Sequence, residues 1–217
     1  MHCANPNAYY AARAAEYERV YDKPERQADL RQLLSLVPEL LRDSSVLEVA
    51  CGTGYWTQAI AQTARSIHAT DLAEETLAIA RAKALAPERV SFQVADALAL
   101  PHGLGSFDAA FAGFWWSHLP RHKVAEFLAS LHARLKPGAK VVLLDNLHVA
   151  GSSTPISRKS SHGDTYQRRQ LSNGSVYEVL KNFPTQDELL SDLVSVATNV
   201  RYLALDFYWL VQYEAAA

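Results

Sequence analysis

An α/β fold, doubly wound around a seven-stranded, mostly parallel sheet with a C-terminal antiparallel strand pair, is what this sequence predicts. Three observations predict it. Five short apolar runs alternate with stretches of helical period, a glycine-bearing turn follows the first run, and two further apolar runs close the chain on either side of Asp206. Strand, helix and strand repeated in this way imply a parallel sheet with right-handed crossovers. Two strands so close in sequence pair antiparallel.

The elements follow in order. Tyr9–Tyr21 and Glu25–Leu36 are helix candidates ahead of the core. The five runs are Ser45–Ala50, Ser66–Thr70, Val90–Val94, Phe107–Phe114 and Lys140–Leu144, bounded and short enough for buried strands. Helices are expected between them at Tyr55–Ala64, Glu74–Leu85 and Lys123–Leu135. In the last, Val124, Phe127, Leu128, Leu131 and Leu135 fall on one face, and Lys136-Pro137-Gly138 is expected to stop it. Residues 147–182 read as a polar, irregular insert with one short run near Val176–Leu180, and an insert of that length is usually functional or mobile. Pro184 and the capping box Thr185-x-x-Glu188 open a final helix with Leu190, Leu193, Val194 and Ala197 on one face. Val200–Leu205 and Phe207–Tyr213 are the closing strands.

The 217 residues suit one well-buried domain. It divides into an N-terminal helical cap (1–40), a core (44–146), an insert (147–182) and a C-terminal helix with the strand pair (184–217). A formal net charge of −2, from 21 basic and 23 acidic residues, gives no footprint for nucleic acid. The basic residues Arg158, Lys159, Arg168 and Arg169 do gather in the insert. No apolar stretch approaches a membrane span, and residues 1–10 lack an apolar signal core. Cys3 and Cys51 make no disulfide framework, so the cytoplasm is the expected compartment. Nothing in the sequence speaks to oligomeric state.

The chemistry centres on Glu48-Val49-Ala50-Cys51-Gly52-Thr53-Gly54, a strand running into a turn before a helix. Glycines without Cβ let backbone approach a ligand closely. Two glycines alone are shared with nicotinamide-binding sheets. Here the third glycine is missing, Trp56 and Thr57 standing in its region, and Glu48 would repel a pyrophosphate but receive an ammonium. Unpaired carboxylates are seldom buried, so Glu48 needs either a ligand or a structural ion pair.

Val46 through Gly54 resembles motif I of the class I S-adenosylmethionine-dependent methyltransferases, a Rossmann-like family. The similarity extends through Asp71 after the second strand, Asp96-Ala97 after the third, Phe107–Pro120 as the fourth, and Leu135–Leu144 before and through the fifth. It covers roughly residues 44–146 and implies an enzyme that binds S-adenosyl-L-methionine and methylates an O or N of a small-molecule acceptor. The resemblance places Ala50, Cys51, Gly52 and Gly54 under the cofactor beside Glu48. It places Asp71 and neighbouring Leu72 at its ribose, and Asp96, Ala97 and Phe114 around its adenine. Each has a plainer reading: Asp71-x-x-Glu74 has capping-box form, Asp96 suits a turn, and Phe114 suits a core. By the same resemblance an N-terminal helix closes over the cofactor, making Tyr10, Tyr17 and Tyr21 candidates there. Catalysis by Cys51 is not expected.

Some family members use a histidine after the fourth strand with an acid after the fifth, and His118 and Asp145 occupy those places. Histidine titrates near neutrality and makes a sensible base, if the nucleophile arrives protonated. His118 and His122 stand four apart, but Pro120 interrupts them, and no metal site is expected. For the acceptor, Arg168 and Arg169 are candidates for clamping a carboxylate or phosphonate, and Trp116 for walling the pocket, though Trp115 and Trp116 also suit a core. A nicotinamide-dependent oxidoreductase and a non-catalytic cofactor-binding protein of the same fold are the alternatives. The missing third glycine counts against the first, and the intact acidic positions against the second.

Overall fold

The computed structural model describes residue 9 and residues 13–216. A seven-stranded sheet runs in the order β3-β2-β1-β4-β5-β10-β9. Its strands are β1 (Ser45–Val49), β2 (Ser66–Asp71), β3 (Val90–Val94), β4 (Phe107–Gly113), β5 (Leu135–Asn146), β9 (Ala197–Ala204) and β10 (Tyr208–Ala215). The first five are parallel, and β10 lies antiparallel to both β5 and β9. The fold class read from the sequence therefore holds.

Alternation along the strands sorts side chains onto two faces. Leu47, Val49, Ala110, Ala112, Val141 and Leu143 face α4 (Val124–His132) and α5 (Gln186–Leu193). Val46, Ala109, Phe111, Val142 and Leu144 face α1 (Gln27–Leu40) and α2 (Tyr55–Ile60). Glu48 shares the parity of Val46 and lands on this second face, between Ala69 and Phe111 of the neighbouring strands. A helix α3 (Glu74–Ala82) follows β2, and a 3-10 helix at Ala14–Tyr21 precedes α1. Among the described residues no helix is long and apolar enough to cross a membrane.

Three expectations need correcting. The helix after β4 ends at His132, and Leu135 already belongs to β5. Lys136-Pro137-Gly138 stops no helix: Phe107 pairs with Leu135 and Ala109 with Lys140, so these residues bulge out of the strand, with Gly138 at φ +71°. The final helix buries Leu189 and Leu193, whereas Val194 is 79% exposed and Ala197 starts β9. The insert is also regular. It forms an antiparallel sheet of β6 (Ile156–Lys159), β7 (Thr165–Gln170) and β8 (Val176–Leu180). Gly163 (φ +86°) lies between β6 and β7, and Asn173-Gly174, with Gly174 also at +86°, turns between β7 and β8. Turns with φ above zero favour glycine and asparagine, and they join strands tightly.

Asn182 stitches this small sheet to the large one. Its backbone N–H donates to Ser117 O (2.7 Å), and its Nδ2 donates to Leu119 O (2.8 Å) and to Asp164 Oδ1 (2.9 Å). The insert is thereby held against the carboxyl end of β4. The strand order reverses between β1 and β4, and in open α/β sheets such a switch point opens a crevice.

Candidate active site

The chain leaves β1 through left-handed backbone: Ala50 has φ +54°, Gly52 +56° and Gly54 +76°. Such torsions are costly for alanine, and they persist where the surroundings hold them. Cys51 N–H donates to Thr70 O (2.9 Å), and Gly52 N–H donates to Asp71 Oδ2 (2.8 Å). Asp71 Oδ1 accepts from Ala73 N–H (2.9 Å) and the Thr76 hydroxyl (3.1 Å). One carboxylate thus ties the two strand-to-helix turns together. Three of its roughly four lone-pair sites are taken.

A cavity of about 260 Å³ opens over these turns. Ala50, Gly52, Asp71 and Leu72 border it at one end, and Asp96 and Ala97 beside them. Tyr17, Phe114 and His118 border it too, and they also border a second cavity of about 460 Å³. The two spaces meet at these three side chains. Phe114, like Ala50, has a positive φ (+60°), and its N–H donates to Leu144 O (2.6 Å). The ring of Tyr17 lies over the glycine turn, 3.6 Å from where a Cβ on Gly52 would stand, and burial pushes its hydroxyl up to about 12.

Other sequence candidates lie elsewhere. Tyr10 is outside the described residues. Tyr21 borders the second cavity and stacks on Tyr55 at 3.8 Å between ring centroids. Gly54 borders neither cavity; a Cβ there would stand 3.1 Å from the Ala80 Cβ, so it serves the approach of α2 to α3. Cys51 borders neither, and burial raises its thiol well above the ordinary range, which keeps it protonated. Trp116 packs edge-on against Phe127 and Trp209 in the core, and Trp115 is the tryptophan at the first cavity.

Glu48 is 1% exposed and borders neither cavity, yet its Oε2 has no hydrogen-bond partner. Burial raises its pKa to about 8, and Asp71 nearby adds to the rise. An acid left in this state accommodates a cation far better than it tolerates its own charge.

Lys181 stands between His118 and Asp145, the two residues expected to pair. Asp145 is fully buried, accepting from Ser117 N–H (2.9 Å), Asn146 N–H (2.7 Å) and Lys181 Nζ (3.1 Å). Lys181 Nζ lies 3.4 Å from His118 Nε2, and His118 Nδ1 donates to Leu180 O at 2.9 Å. Burial, then Lys181 and Arg169, hold His118 well below 6.5, so the ring is neutral. Burial likewise lowers Lys181 to about 8. Lys181 was not anticipated, because it follows β8 in a segment that read as irregular. Arg168 and Arg169 both border the second cavity but do not act as a fork. Side chains alternate along β7, Arg169 sharing the face of buried Gln167 while Arg168 is exposed.

A family described as a methyltransferase domain matches residues 46–138. A demethylmenaquinone methyltransferase of Shouchella clausii is 33% identical over 107 residues, covering 47% of this chain and 45% of that protein. One from Staphylococcus aureus is 35% identical over 102 residues, 46% of this chain and 42% of that protein. The chain thus spans under half the length of these curated relatives. Among solved structures, a DhpI–SAH complex superposes with a TM-score of 0.79 at 24% identity, covering 97% of this chain and 95% of that one. A DhpI–SAM–HEP complex gives 0.74 at 25% identity, covering 94% of each. The glycopeptide N-methyltransferase MtfA with sinefungin gives 0.59 at 19%, covering 79% of this chain and 86% of that one.

Proposed function

We propose that this chain, of which residues 46–138 match a methyltransferase-domain family, is a class I methyltransferase that transfers a methyl group from S-adenosyl-L-methionine to a small molecule. The cofactor lies in the smaller cavity and the acceptor in the larger. The observation that carries this reading is the meeting of the two cavities at Tyr17, Phe114 and His118. A methyl group carried across that neck would face an acceptor directly, as in-line displacement requires.

The residues present fit the cofactor. Glu48 borders neither cavity, and its buried Oε2, on the strand that enters the glycine turn, is suited to an ammonium through water. Asp71 retains one acceptor site for a ribose hydroxyl, and Asp96, whose Oδ1 accepts from Leu98 N–H (2.9 Å), borders the same space with Oδ2 to spare. Leu72, 46% exposed, offers apolar surface to a base. When bound, the cofactor supplies a methyl group on a positively charged sulfur that leaves with the bonding electron pair. The protein's own share is alignment and exclusion of water. His118 is a poor proton acceptor with its pKa held so low, and Asp145 is engaged by Lys181. An acceptor atom that needs no base near neutral pH suits this site best.

Calorimetric titration with S-adenosylhomocysteine tests this. We expect saturable binding with a dissociation constant in the micromolar range; no heat at high micromolar ligand refutes the reading.

A further inference from the structure

A third cavity, of about 390 Å³, opens where the 3-10 helix Trp116–His118, the start of α4 and the length of α5 come together. It shares Leu119 with the smaller cavity and no residue with the larger. Its floor is apolar: Trp116, Leu119 and Val124 are each less than a tenth exposed, and Pro184 is buried beside them. Its rim is acidic. Asp187, Glu188, Ser191 and Asp192 of α5 border it, at spacings that put them on one side of a helix. Glu188 is already engaged, accepting from Arg121 Nη1 (2.7 Å) and from Thr185 N–H (2.9 Å). Asp187 and Asp192 have no ion pair or hydrogen bond among the described residues. Asp187 stands in the first turn of α5, where the helix dipole favours an acid, but Asp192 stands in the last, where the dipole opposes one. Burial, then the charge of Glu188, raises the Asp192 carboxyl further. A second observation comes from the floor. The Trp116 indole is 4% exposed, and it borders this cavity and neither of the other two. The Nε1 atoms of Trp56, Trp115 and Trp209 are buried; that of Trp116 is not sealed off, and no acceptor among the described residues takes its hydrogen bond. A tryptophan so deeply set usually satisfies its N–H, so this one opens on the cavity and calls for an oxygen there.

We propose that the third cavity is a separate binding site for a small aliphatic amine that carries an acceptor oxygen on its chain, an amino alcohol in chemical class. The ammonium group answers the carboxylates of Asp187 and Asp192 at the rim. The methylene chain covers Leu119, Val124 and Pro184, and the oxygen accepts from Trp116 Nε1. The two kinds of surface call for two ends of one molecule. A bare metal ion would leave the apolar floor in water, and a hydrocarbon would leave like-charged carboxylates facing one another without relief. A volume of about 390 Å³ lies within the range of small-ligand sites. The site stands apart from the methyltransferase reading, whichever reaction the chain performs.

The test titrates the full chain at neutral pH and constant ionic strength with the terminal amino alcohol aminopentanol, and separately with pentanol and with methylammonium. Binding is followed by proton–nitrogen NMR of the indole groups, the Trp116 resonance being identified by its loss in Trp116→Phe. Aminopentanol should bind saturably, at least about tenfold more tightly than either fragment, and should shift the Trp116 indole resonance. Asp192→Asn and Asp187→Asn should each weaken it about fivefold or more, and Glu75→Gln, an exposed acid on α3, should not. Pentanol or methylammonium binding as tightly, a Trp116 resonance that does not move, or unchanged affinity in both aspartate variants overturns the proposal. If Asp187→Asn does not fold, Asp192→Asn decides alone. Affinity for S-adenosylhomocysteine should stay within about twofold in both variants, so that this site and the cofactor cavity fail or stand on separate ligands.

Discussion

Glu48 shows how far a single residue can be read. Its identity and strand position announce a buried carboxylate, and strand alternation puts it on the face of α2, where its Oε2 meets no donor. Its folded pKa of about 8 lies above the ordinary carboxyl value. The unfolded chain releases this proton near pH 4.5 while the folded one keeps it, so the contribution to stability is full below pH 4.5 and is lost as pH rises towards 8. Glu48→Gln removes the effect. In urea unfolding without ligand, the variant should gain on the parent by about 1.4 kcal/mol per pH unit across that window and level off above pH 8. A constant difference from pH 5 to 9 would show that the carboxyl ionises normally. The same residue predicts that an ammonium-bearing ligand expels its proton, so S-adenosylhomocysteine should bind the parent more tightly as pH rises to 8. By contrast, the left-handed torsions at Ala50 and Phe114 could not be foreseen, because neither residue type favours them.

At the scale of elements, the 3-10 helix Ala14–Tyr21 lies in the segment that the sequence suggested as a cap, and its attachment to the turn is specific. Glu18 accepts from the Thr53 hydroxyl (2.7 Å) and Lys83 Nζ (2.6 Å), next to Tyr17 over Gly52. Thr53 is buried but the Glu18 side chain is 42% exposed, so loss of its carboxylate should free the cap without unfolding the core. We expect Glu18→Ala to raise the dissociation rate of S-adenosylhomocysteine about tenfold in stopped flow, with a melting temperature within about 2 °C of the parent. An unchanged rate would mean that the cap does not gate the cavity. The strands of the core were legible because burial on both faces writes continuous apolar runs. The insert was not. β6 and β7 carry mostly polar side chains, only β8 writes a short apolar run, and the signal that joins β7 to β8 is the turn pair Asn173-Gly174. That dipeptide between two short runs was the available hairpin signal. Missing the hairpin also hid Lys181, whose position beside Asp145 depends on where β8 ends.

Across the whole molecule, the two sheets are joined through a few buried polar groups rather than through a continuous apolar core. Lys181 reaches Asp145 and the Ser117 hydroxyl, and Asn182 reaches Ser117 O, Leu119 O and Asp164. These bonds place the inward side of β7 across from the N-terminal segment and so define the larger cavity, while the smaller one is bordered mainly by the ends of the parallel strands, with Val179 and Leu180 of β8 beside them. Asn182→Ala should separate the two roles. It leaves the Leu119 carbonyl without this donor and takes Asn182 Oδ1 away from Thr165 N–H, while Asp164 Oδ1 keeps only the Arg121 N–H, at a cost of about 1–3 kcal/mol. That cost should fall on the small sheet, because β1, β4 and β5 keep all their partners. In native-state hydrogen exchange, the amides of 165–170 and 176–180 should lose protection while those of 45–49 and 141–146 retain it. S-adenosylhomocysteine should bind nearly as before. Equal loss of protection in both sheets would mean that they unfold as one unit, and the acceptor cavity would then be inseparable from the cofactor scaffold.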